Sequence, residues 1–246
     1  MRYIGKKIFL GAVLFSATVA TAQQAELDPV TITATLQPVN ASNTGRNITV
    51  IKGEQFAKLP VNSLDELLRY LPGIEVQARG PMGAQSDIVL RGGTFQQVLV
   101  IVDGIRINDP NTGHFNSYIP IAPGEIDRIE ILKGASSAIY GSEAVGGVIQ
   151  VITKSFAAKR GQQAKQVTAQ VTGGQFGLFN AQAGGFYQSG NTAIAGGLIT
   201  NNATGQQQRG LTGFLHNTTA SVSVNRFLSE HWTAAVRLAY DNRDFA

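Results

Sequence analysis

Cysteine is absent from this 246-residue chain, and charged residues are scarce. Without cysteine, the chain forms no disulfide, no thiolate metal site and no cysteine nucleophile. Only 15% of its residues are charged, whereas 43% are hydrophobic and 28 are glycine. Soluble domains carry roughly 25% charged residues, so this composition favours many turns and surfaces that do not face bulk water.

Acidic residues are missing from the N-terminus. None precedes Glu26, whereas Arg2, Lys6 and Lys7 lie close to the start and account for most of the formal net charge of +4. The basic balance therefore does not indicate a nucleic-acid partner. No Lys/Arg block interleaved with aromatic residues supports one elsewhere in the chain, and we predict no nucleic-acid binding.

The N-terminal segment has the three parts of a secretory signal. Its basic start is followed by an uncharged apolar run over residues 8–19 and by the small residues Ala20, Thr21 and Ala22. The run is too short for a membrane-spanning helix, which needs about 20 apolar residues. We predict a signal peptide over residues 1–22. No later stretch is apolar for long enough to span as a helix, so membrane residence would require a β-barrel.

A polar arm and a compact α+β region are predicted to follow. Residues 23–47 are small and polar, which indicates a flexible arm. Within residues 48–154, Ser63 and Glu66 form a capping box ahead of leucines at helical spacing, which predicts a helix that ends before Pro72. An Asp-Gly pair between apolar runs predicts a hairpin at 103–104. The predicted strands are 48–51, 74–77, 88–91, 98–102, 105–107, 126–132 and 148–153.

The pattern changes after residue 154 to alternation with a period of two. In the last segment, Trp232 and Tyr240 stand at the two ends of an apolar face. Eight residues at about 3.3 Å each, tilted by about 40°, approach the apolar band of about 25 Å between the aromatic girdles of an outer-membrane barrel. A soluble sandwich with one buried face is the alternative. The predicted strands are 165–172, 178–188, 192–201 (the weakest alternation), 215–226 and 231–242.

Five strands are too few to close a bacterial barrel, which starts at about eight. An open sheet edge in lipid leaves backbone groups without hydrogen bonds. We therefore expect the sequence to be a fragment, with a partial barrel over residues 165–246. The predicted fold class is an α+β plug domain followed by the first strands of an antiparallel transmembrane β-barrel.

The region from about residue 28 to 153 resembles the plug domain of TonB-dependent receptors. Each motif alone is weak, but their order and spacing together are specific. The segment 28–34 is similar to the family's coupling box, although Pro29 follows Asp28 where a hydroxyl or apolar residue is usual. Proline lacks an N–H, so strand pairing there begins after it. The other motifs are LLRYLPGI at 67–74, LRG at 90–92, VLVIVDGI at 98–105, SAIYG at 137–141 and GGVIQVIT at 146–153.

The resemblance implies active uptake of a scarce large ligand across the outer membrane of a Gram-negative bacterium. In the family, a plug closes a barrel of twenty-two strands that is embedded in outer-membrane lipid. The coupling box recruits a periplasmic energy-coupling complex, the TonB complex, and a β-prone segment on a flexible arm suits addition to a partner's sheet edge. The implied coupling-box residues are Asp28, Pro29, Val30, Thr31, Ile32, Thr33 and Ala34.

The spacing of the plug motifs is especially similar to the cobalamin transporter subgroup, so a corrinoid is the expected ligand. Siderophore and carbohydrate receptors share the same motifs and stay open as alternatives. Amide side chains and backbone groups suit a ligand rich in amides. His114 has no second histidine near it, so we expect a loop contact and no metal site. The candidate ligand contacts are Met82, Gly83, Ala84, Gln85, Thr94, Phe95, Gln96, His114, Phe115 and Asn116.

Two other classes of function compete with uptake. A structural or adhesive outer-membrane barrel would need neither coupling box nor plug, so residues 28–153 argue against it. A secreted enzyme would need a metal pair, a phosphate loop or a triad, and the sequence offers none of these. We therefore predict no enzymatic activity, no catalytic residues and no cofactor. A signalling receptor would need a further domain before the coupling box, where only residues 23–27 lie.

Overall fold

The computed structural model of the protein describes residues 30–31, 39–56, 59, 61, 63–78, 86–108, 121–208 and 211–245. Its N-terminal part, called the plug here, combines short helices with mostly short strands. The arm before the plug carries β1 (Val30–Thr31) and β2 (Val39–Asn40). The plug strands are β3 (Asn47–Lys52), β4 (Ile74–Ala78), β5 (Ser86–Leu90), β6 (Val98–Val102), β7 (Ile105–Arg106), β8 (Ile126–Lys133) and β9 (Gly147–Thr153). Its helices are α1 (Gly53–Phe56), α2 (Leu64–Leu68), α3 (Ser137–Tyr140) and α4 (Lys154–Ala157).

The central sheet of the plug has the strand order β3-β8-β9-β6-β7. Strands β6 and β9 pair in parallel, and the other neighbours are antiparallel. Every residue of β6 and β9 is buried. Burial on both faces explains why β6 is a continuous apolar run instead of an alternating one. One face packs in a core with α2, through Leu67 and Leu68, and the other face forms a smaller cluster that includes Leu99 and Val148.

The predicted hairpin between β6 and β7 is confirmed. Asp103 and Gly104 both have positive φ, at 48° and 86°. Successive left-handed residues match the twist of the flanking strands in a two-residue turn, and Asp and Gly are among the residues that tolerate them. The Asp-Gly pair therefore sets the register Val102 to Ile105.

Helix α2 starts at the predicted N-cap residue but lacks the predicted capping bond and ends early. Ser63 is the N-cap residue, but its side chain makes no capping hydrogen bond. The helix ends at Leu68, because Tyr70 N bonds Leu67 O at 3.0 Å and Leu71 N bonds Leu68 O at 3.1 Å. These i to i+3 bonds tighten the last turn into 3₁₀ geometry. Among the described residues, no helix combines the length and apolar character needed to cross a membrane.

Five antiparallel strands follow the plug and form a second sheet, called the wall here. They pair in sequence order, so that β10 and β14 are its edges. The third strand, with the weakest predicted alternation, extends to Gln208 because its far half still pairs with the next strand across a register shift after Ala203. The strands are β10 (Gln162–Gly173), β11 (Phe179–Gly190), β12 (Thr192–Gln208), β13 (Leu211–Phe227) and β14 (Thr233–Phe245).

The last strand begins later than the sequence pattern predicts. Trp232 lies in the turn before β14, where its carbonyl accepts hydrogen bonds from Leu228 N at 2.9 Å and Ser229 N at 3.2 Å. The Trp232 carbonyl is thus bonded within the turn and does not extend the ladder between β13 and β14. Trp232 and Tyr240 nevertheless remain 73% and 61% exposed. Trp232 lies just before the strand, but Tyr240 lies five residues before its end at Phe245, so β14 extends beyond the apolar face that the two aromatic residues bound.

The two faces of the wall have opposite chemistry. Val167, Leu198 and Leu238 point outward and are 84%, 59% and 65% exposed. On the inner side, Ser223 and Asn225 are among the buried polar residues. A soluble sheet buries its apolar face, whereas this sheet exposes it and covers its polar face with the plug. The outward apolar and inward polar alternation is typical of a transmembrane barrel strand.

Candidate functional site

A single 3₁₀ turn presents three of the predicted ligand contacts. The turn Phe95–Gln97 follows Thr94 and leads into β6. Thr94 and Gln96 are exposed and Phe95 is half-buried, so the turn presents two polar side chains and part of an aromatic side chain at the surface. The structure therefore brings Thr94, Phe95 and Gln96 together on one surface turn. Whether this surface binds a ligand stays a prediction.

Gln97, which the candidate list did not include, holds this turn in place. Its Oε1 accepts a hydrogen bond from Thr94 N at 3.2 Å. Its backbone N bonds Thr94 O at 3.0 Å, and its carbonyl accepts from Gly146 N at 2.8 Å. Gln97 thus supplies the side-chain half of a capping box at its third position, whereas the Thr94 side chain makes no capping hydrogen bond. The Thr-x-x-Gln spacing is a recognised capping signal and was available in the sequence.

The other predicted ligand contacts lie outside the described residues. Met82, Gly83, Ala84 and Gln85 belong to one such segment, and His114, Phe115 and Asn116 belong to another. Asn108 is the last described residue before the second segment, and its side chain bonds the edge of β6. Its Oδ1 accepts from Val100 N at 2.7 Å, and its Nδ2 donates to Val98 O at 2.9 Å. One amide side chain thus replaces a strand residue at this edge.

Two residues of the coupling segment are described. Val30 pairs with Asn40 and Thr31 pairs with Val39, in an antiparallel two-stranded ladder. These two residues therefore take the extended conformation that their β-prone sequence predicts. The remaining coupling-box residues, Asp28, Pro29, Ile32, Thr33 and Ala34, lie outside the described residues.

A buried charge cluster joins the plug to the wall. Arg237, on the inner face of β14, lies with its Nη1 3.4 Å from Asp103 Oδ2 and its Nη2 4.0 Å from Glu125 Oε2. The three side chains are 14%, 10% and 0% exposed respectively. Two carboxyl groups therefore share one guanidinium in a region shielded from water, where charge interactions are stronger than at the surface.

Each carboxyl of the cluster is also held by plug or wall hydrogen bonds. Asp103 accepts from Thr153 N at 2.8 Å and from the Thr153 hydroxyl at 2.7 Å, which fixes the β6–β7 turn to the end of β9. Glu125 Oε1 accepts from Ala122 N at 2.9 Å and from the Ser221 hydroxyl. The cluster therefore links two plug turns to two adjacent wall strands.

Burial dominates the protonation of this region. Burial raises the pKa of Asp103 above its ordinary value, and the hydrogen bonds from Thr153 and the charge of Arg237 oppose the shift only in part. Burial likewise raises the pKa of Glu125, against the Ser221 hydrogen bond. Burial lowers the pKa of Lys154, whose ammonium donates to Gly124 O at 2.7 Å. Each of the three pKa shifts favours the neutral form, because burial removes the water that stabilises a charge.

Neutral hydrogen bonds extend the contact between plug and wall. The Ser155 and Ser223 hydroxyls lie 2.6 Å apart, and Asn225 Nδ2 donates to Ser155 O at 2.6 Å. The sequence analysis did not single out Arg237, Ser223 or Asn225. Their signal was present, because all three occupy inward positions of the alternating strands. A group of three or more His, Asp or Glu side chains able to hold a metal ion is not found within the described ranges.

Comparisons with known proteins agree with the fold and the plug motifs. The TonB-dependent Receptor Plug Domain family matches residues 40–148. The chain is 30% identical over 243 residues to the vitamin B12 transporter BtuB of Photobacterium profundum, covering 95% of this chain and 38% of that transporter. It is 37% identical over 134 residues to the vitamin B12 transporter BtuB of Vibrio vulnificus, covering 54% of this chain and 22% of that transporter.

A solved structure extends the likeness to the fold. The siderophore receptor PirA from Acinetobacter baumannii has a TM-score of 0.62 and 21% sequence identity to this chain. The match covers 80% of this chain and 32% of that receptor. Identity at this level shows the fold alone. The family match identifies a TonB-dependent receptor plug domain at residues 40–148, within a chain that is similar over 95% of its length to a vitamin B12 transporter.

Proposed function

We propose that this protein takes up a large, scarce ligand across the outer membrane by TonB-dependent transport, and that the ligand is a corrinoid such as cobalamin. One observation carries the choice of ligand: the similarity to a vitamin B12 transporter runs over 95% of this chain. The likeness to a siderophore receptor concerns the fold and does not select a ligand. Because the chain spans 38% of that transporter, the activity of the whole protein is part of the proposal.

The wall supplies a physical reason for outer-membrane residence. Its exposed face is apolar, with Val171, Val236 and Tyr240 among the exposed large side chains, whereas its inner face is polar. Lipid is the solvent that such an exposed face favours, and the strand ladder satisfies the backbone hydrogen bonds that lipid cannot. The partner of this face is therefore outer-membrane lipid.

Energy would arrive through the coupling segment. The outer membrane has no energy source of its own, so the segment 28–34 would recruit the periplasmic TonB complex. Val30 and Thr31 already hold an extended conformation, the one in which a peptide adds to the edge of a partner's sheet. Ligand binding would change the availability of the segment only if the ligand binds two plug states with different affinity.

The ligand would contact the three candidate plug segments at 82–85, 94–96 and 114–116. Thr94 and Gln96 offer a hydroxyl and an amide on an exposed turn. Such groups suit the amide-rich rim of a corrinoid, because hydroxyl and amide groups can both donate hydrogen bonds to amides and accept them. Enzymatic activity and a resident cofactor form no part of this function.

The remaining organisation belongs to the same proposal. A signal peptide over residues 1–22 would direct export, an arm over 23–47 would carry the coupling segment, and a plug over 48–154 would precede a partial barrel over 165–246. N-terminal sequencing of the mature protein, purified from the outer-membrane fraction, is expected to begin at Gln23. Retention of Met1, or recovery in the cytoplasm, would contradict the export route.

Equilibrium binding tests the ligand. The protein produced from its complete reading frame is purified in detergent, and cyanocobalamin binding is measured with a ferric siderophore and a maltodextrin as competitors. We expect saturable corrinoid binding that neither competitor displaces, and weaker binding after Gln96→Ala than after a change at the outward wall residue Val171→Ala. Saturable binding of the siderophore or the sugar, with none of the corrinoid, would assign the receptor to that other ligand.

A further inference from the structure

The plug and the wall meet at glycines. The plug turn Pro123–Glu125 lies against Gly184 of β11 and Gly197 of β12, which are direct cross-strand partners. A Cβ added to Gly184 would lie 3.0 Å from Gly124 Cα, and one added to Gly197 would lie 2.4 Å from Ala122 Cβ. Neither distance leaves room for an alanine without a shift of the plug or the wall.

The same constraint operates from the plug side. A Cβ added to Gly124 would lie 2.0 Å from Thr168 Oγ1 of β10 and 3.1 Å from Gly184 Cα. Two backbones therefore meet without intervening side chains, and the absence of side chains on both partners makes that approach possible. A glycine within a strand otherwise weakens it, so a close backbone approach is a physical reason for Gly184 and Gly197.

The neighbouring wall glycines have no such contact. Gly185 and Gly196 follow the same cross-strand pairing, one row along, but they belong to the outward face. A Cβ added to Gly185 would meet Gln166 O at 3.6 Å, which is ordinary van der Waals contact. Of the two adjacent rows of glycine, only the inward row meets the plug, and of the outward pair only Gly185 has room for a side chain, since a Cβ on Gly196 would lie 3.1 Å from Ser221 O. Gly185 is a matched control for Gly184.

Polar contacts hold the turn in the position that the glycines permit. Glu125 Oε1 accepts a hydrogen bond from the Ser221 hydroxyl, and Ser221 is the β13 partner of Gly197. On the other side, Lys154 Nζ donates to Gly124 O at 2.7 Å. The turn therefore packs closely against the wall glycines and is also hydrogen-bonded to Ser221 and Lys154.

We propose that Gly184, Gly197 and Ser221 form a docking notch on the wall, and that its partner is the plug turn 122–125 of the same chain. Seating of the turn fixes the plug against β11–β13 and closes the space between plug and wall. A side chain at Gly184 displaces the turn and loosens the plug, whereas a side chain at Gly185 does not. The inference is independent of the ligand, since every contact in it lies between plug and wall.

Thiol accessibility tests the notch. In the protein from the complete reading frame, with any cysteine elsewhere replaced by serine, Ser155→Cys places one thiol at a plug position that is 1% exposed and contacts Ser223. The labelling rate with a membrane-impermeant maleimide is compared between this background and the same background with Gly184→Ala or Gly185→Ala. We expect Gly184→Ala to label about tenfold faster, the factor equivalent to about 1.4 kcal/mol. Gly185→Ala should label at the background rate.

Ser221→Ala keeps the test decisive if Gly184→Ala yields no folded protein. It removes the hydroxyl that Glu125 accepts from and adds no volume, so several-fold faster labelling is expected. Equal labelling of the Gly184→Ala and Gly185→Ala proteins would overturn the docking notch. So would an unfolded Gly184→Ala protein combined with a Ser221→Ala protein that labels at the background rate.

Discussion

The plug and the wall both contain β-strands, but they bury opposite kinds of side chain: apolar in the plug and polar in the wall. Plug strand β6 buries apolar residues on both faces, from Val98 to Val102. Wall strand β13 buries Ser221, Ser223 and Asn225 and turns Val222 outward. A β-strand thus specifies its surroundings through which face carries the apolar residues. The plug behaves as a domain with its own core, whereas the wall needs an apolar medium outside and a polar partner inside.

The largest expected effect comes from the plug core. Leu99→Ala removes a fully buried side chain between β6 and its neighbours, and we expect the free energy of unfolding to fall by about 4 kcal/mol. Leu198→Ala in the wall removes a side chain that is 59% exposed, so we expect a loss below about 1 kcal/mol in detergent. Urea unfolding of the two purified variants measures both. Equal losses would remove the contrast between the regions.

The charge cluster that joins the regions gives the next effect. Arg237→Met leaves Asp103 and Glu125 buried without their shared cation, and we expect a loss of about 3 kcal/mol in the free energy of unfolding. Arg237→Lys keeps the charge and is the control, with a smaller loss. A Met variant as stable as wild type would mean that plug and wall associate without this cluster.

The pH dependence of stability is expected to be smaller and has an unusual sign. Burial raises the pKa of Asp103 and of Glu125, so the folded protein holds these protons to higher pH than the unfolded chain. Their contribution to stability is complete below the unfolded carboxyl pKa and is lost as pH rises through the folded pKa. Lys154, with its lowered pKa, acts in the opposite direction at alkaline pH.

Unfolding measured from pH 5 to pH 8 checks this sign. Relative to the double variant Asp103→Asn with Glu125→Gln, wild type should lose stability as pH rises. If wild type instead gains stability over the variant, the two carboxyls are ordinary ion-pair partners whose pKa is lowered by Arg237.

The smallest effect concerns the surface turn at residues 94–97. Gln97→Leu removes the side-chain acceptor for Thr94 N, and we expect a loss of about 1 kcal/mol, the usual value for a cap. Gln97→Glu keeps an acceptor oxygen and should restore most of the loss. Amide exchange at Thr94 measures the local effect. Unchanged exchange in Gln97→Leu would show that the turn holds without its cap.

Local chemistry explains how much of this fold the sequence predicts. Asp103 and Gly104 predict their own turn, and Val167 and Val171 predict an outward face, because turn propensity and alternation are properties of neighbouring residues. The capping bond predicted for Ser63 is wrong: Ser63 is the N-cap of α2, but its buried hydroxyl makes no capping hydrogen bond. Gln97 was missed although its spacing from Thr94 carries a capping signal.

Long-range partners explain most of what the sequence does not predict. Arg237 lies 134 positions from Asp103 in the sequence, and only the packing of the plug against the wall brings the two side chains together. The same holds for Gly124 against Gly184, where the signal is the lack of a side chain on both partners. Alternation places each residue on a face, but it does not say which plug turn that face will meet. The ligand contacts at 82–85, 94–96 and 114–116 all stay predictions.

Energy-coupled uptake of a corrinoid is the claim that joins the plug, the wall and the coupling segment. Labelled cyanocobalamin uptake is measured in cells whose only receptor is the protein from the complete reading frame, with Thr31→Pro and Thr31→Val as a matched pair. Proline removes an N–H from the coupling strand, whereas valine keeps the extended conformation. The account predicts uptake by wild type and Thr31→Val, and surface binding without uptake by Thr31→Pro. Equal uptake by the Pro and Val variants, or no uptake by wild type, would contradict it.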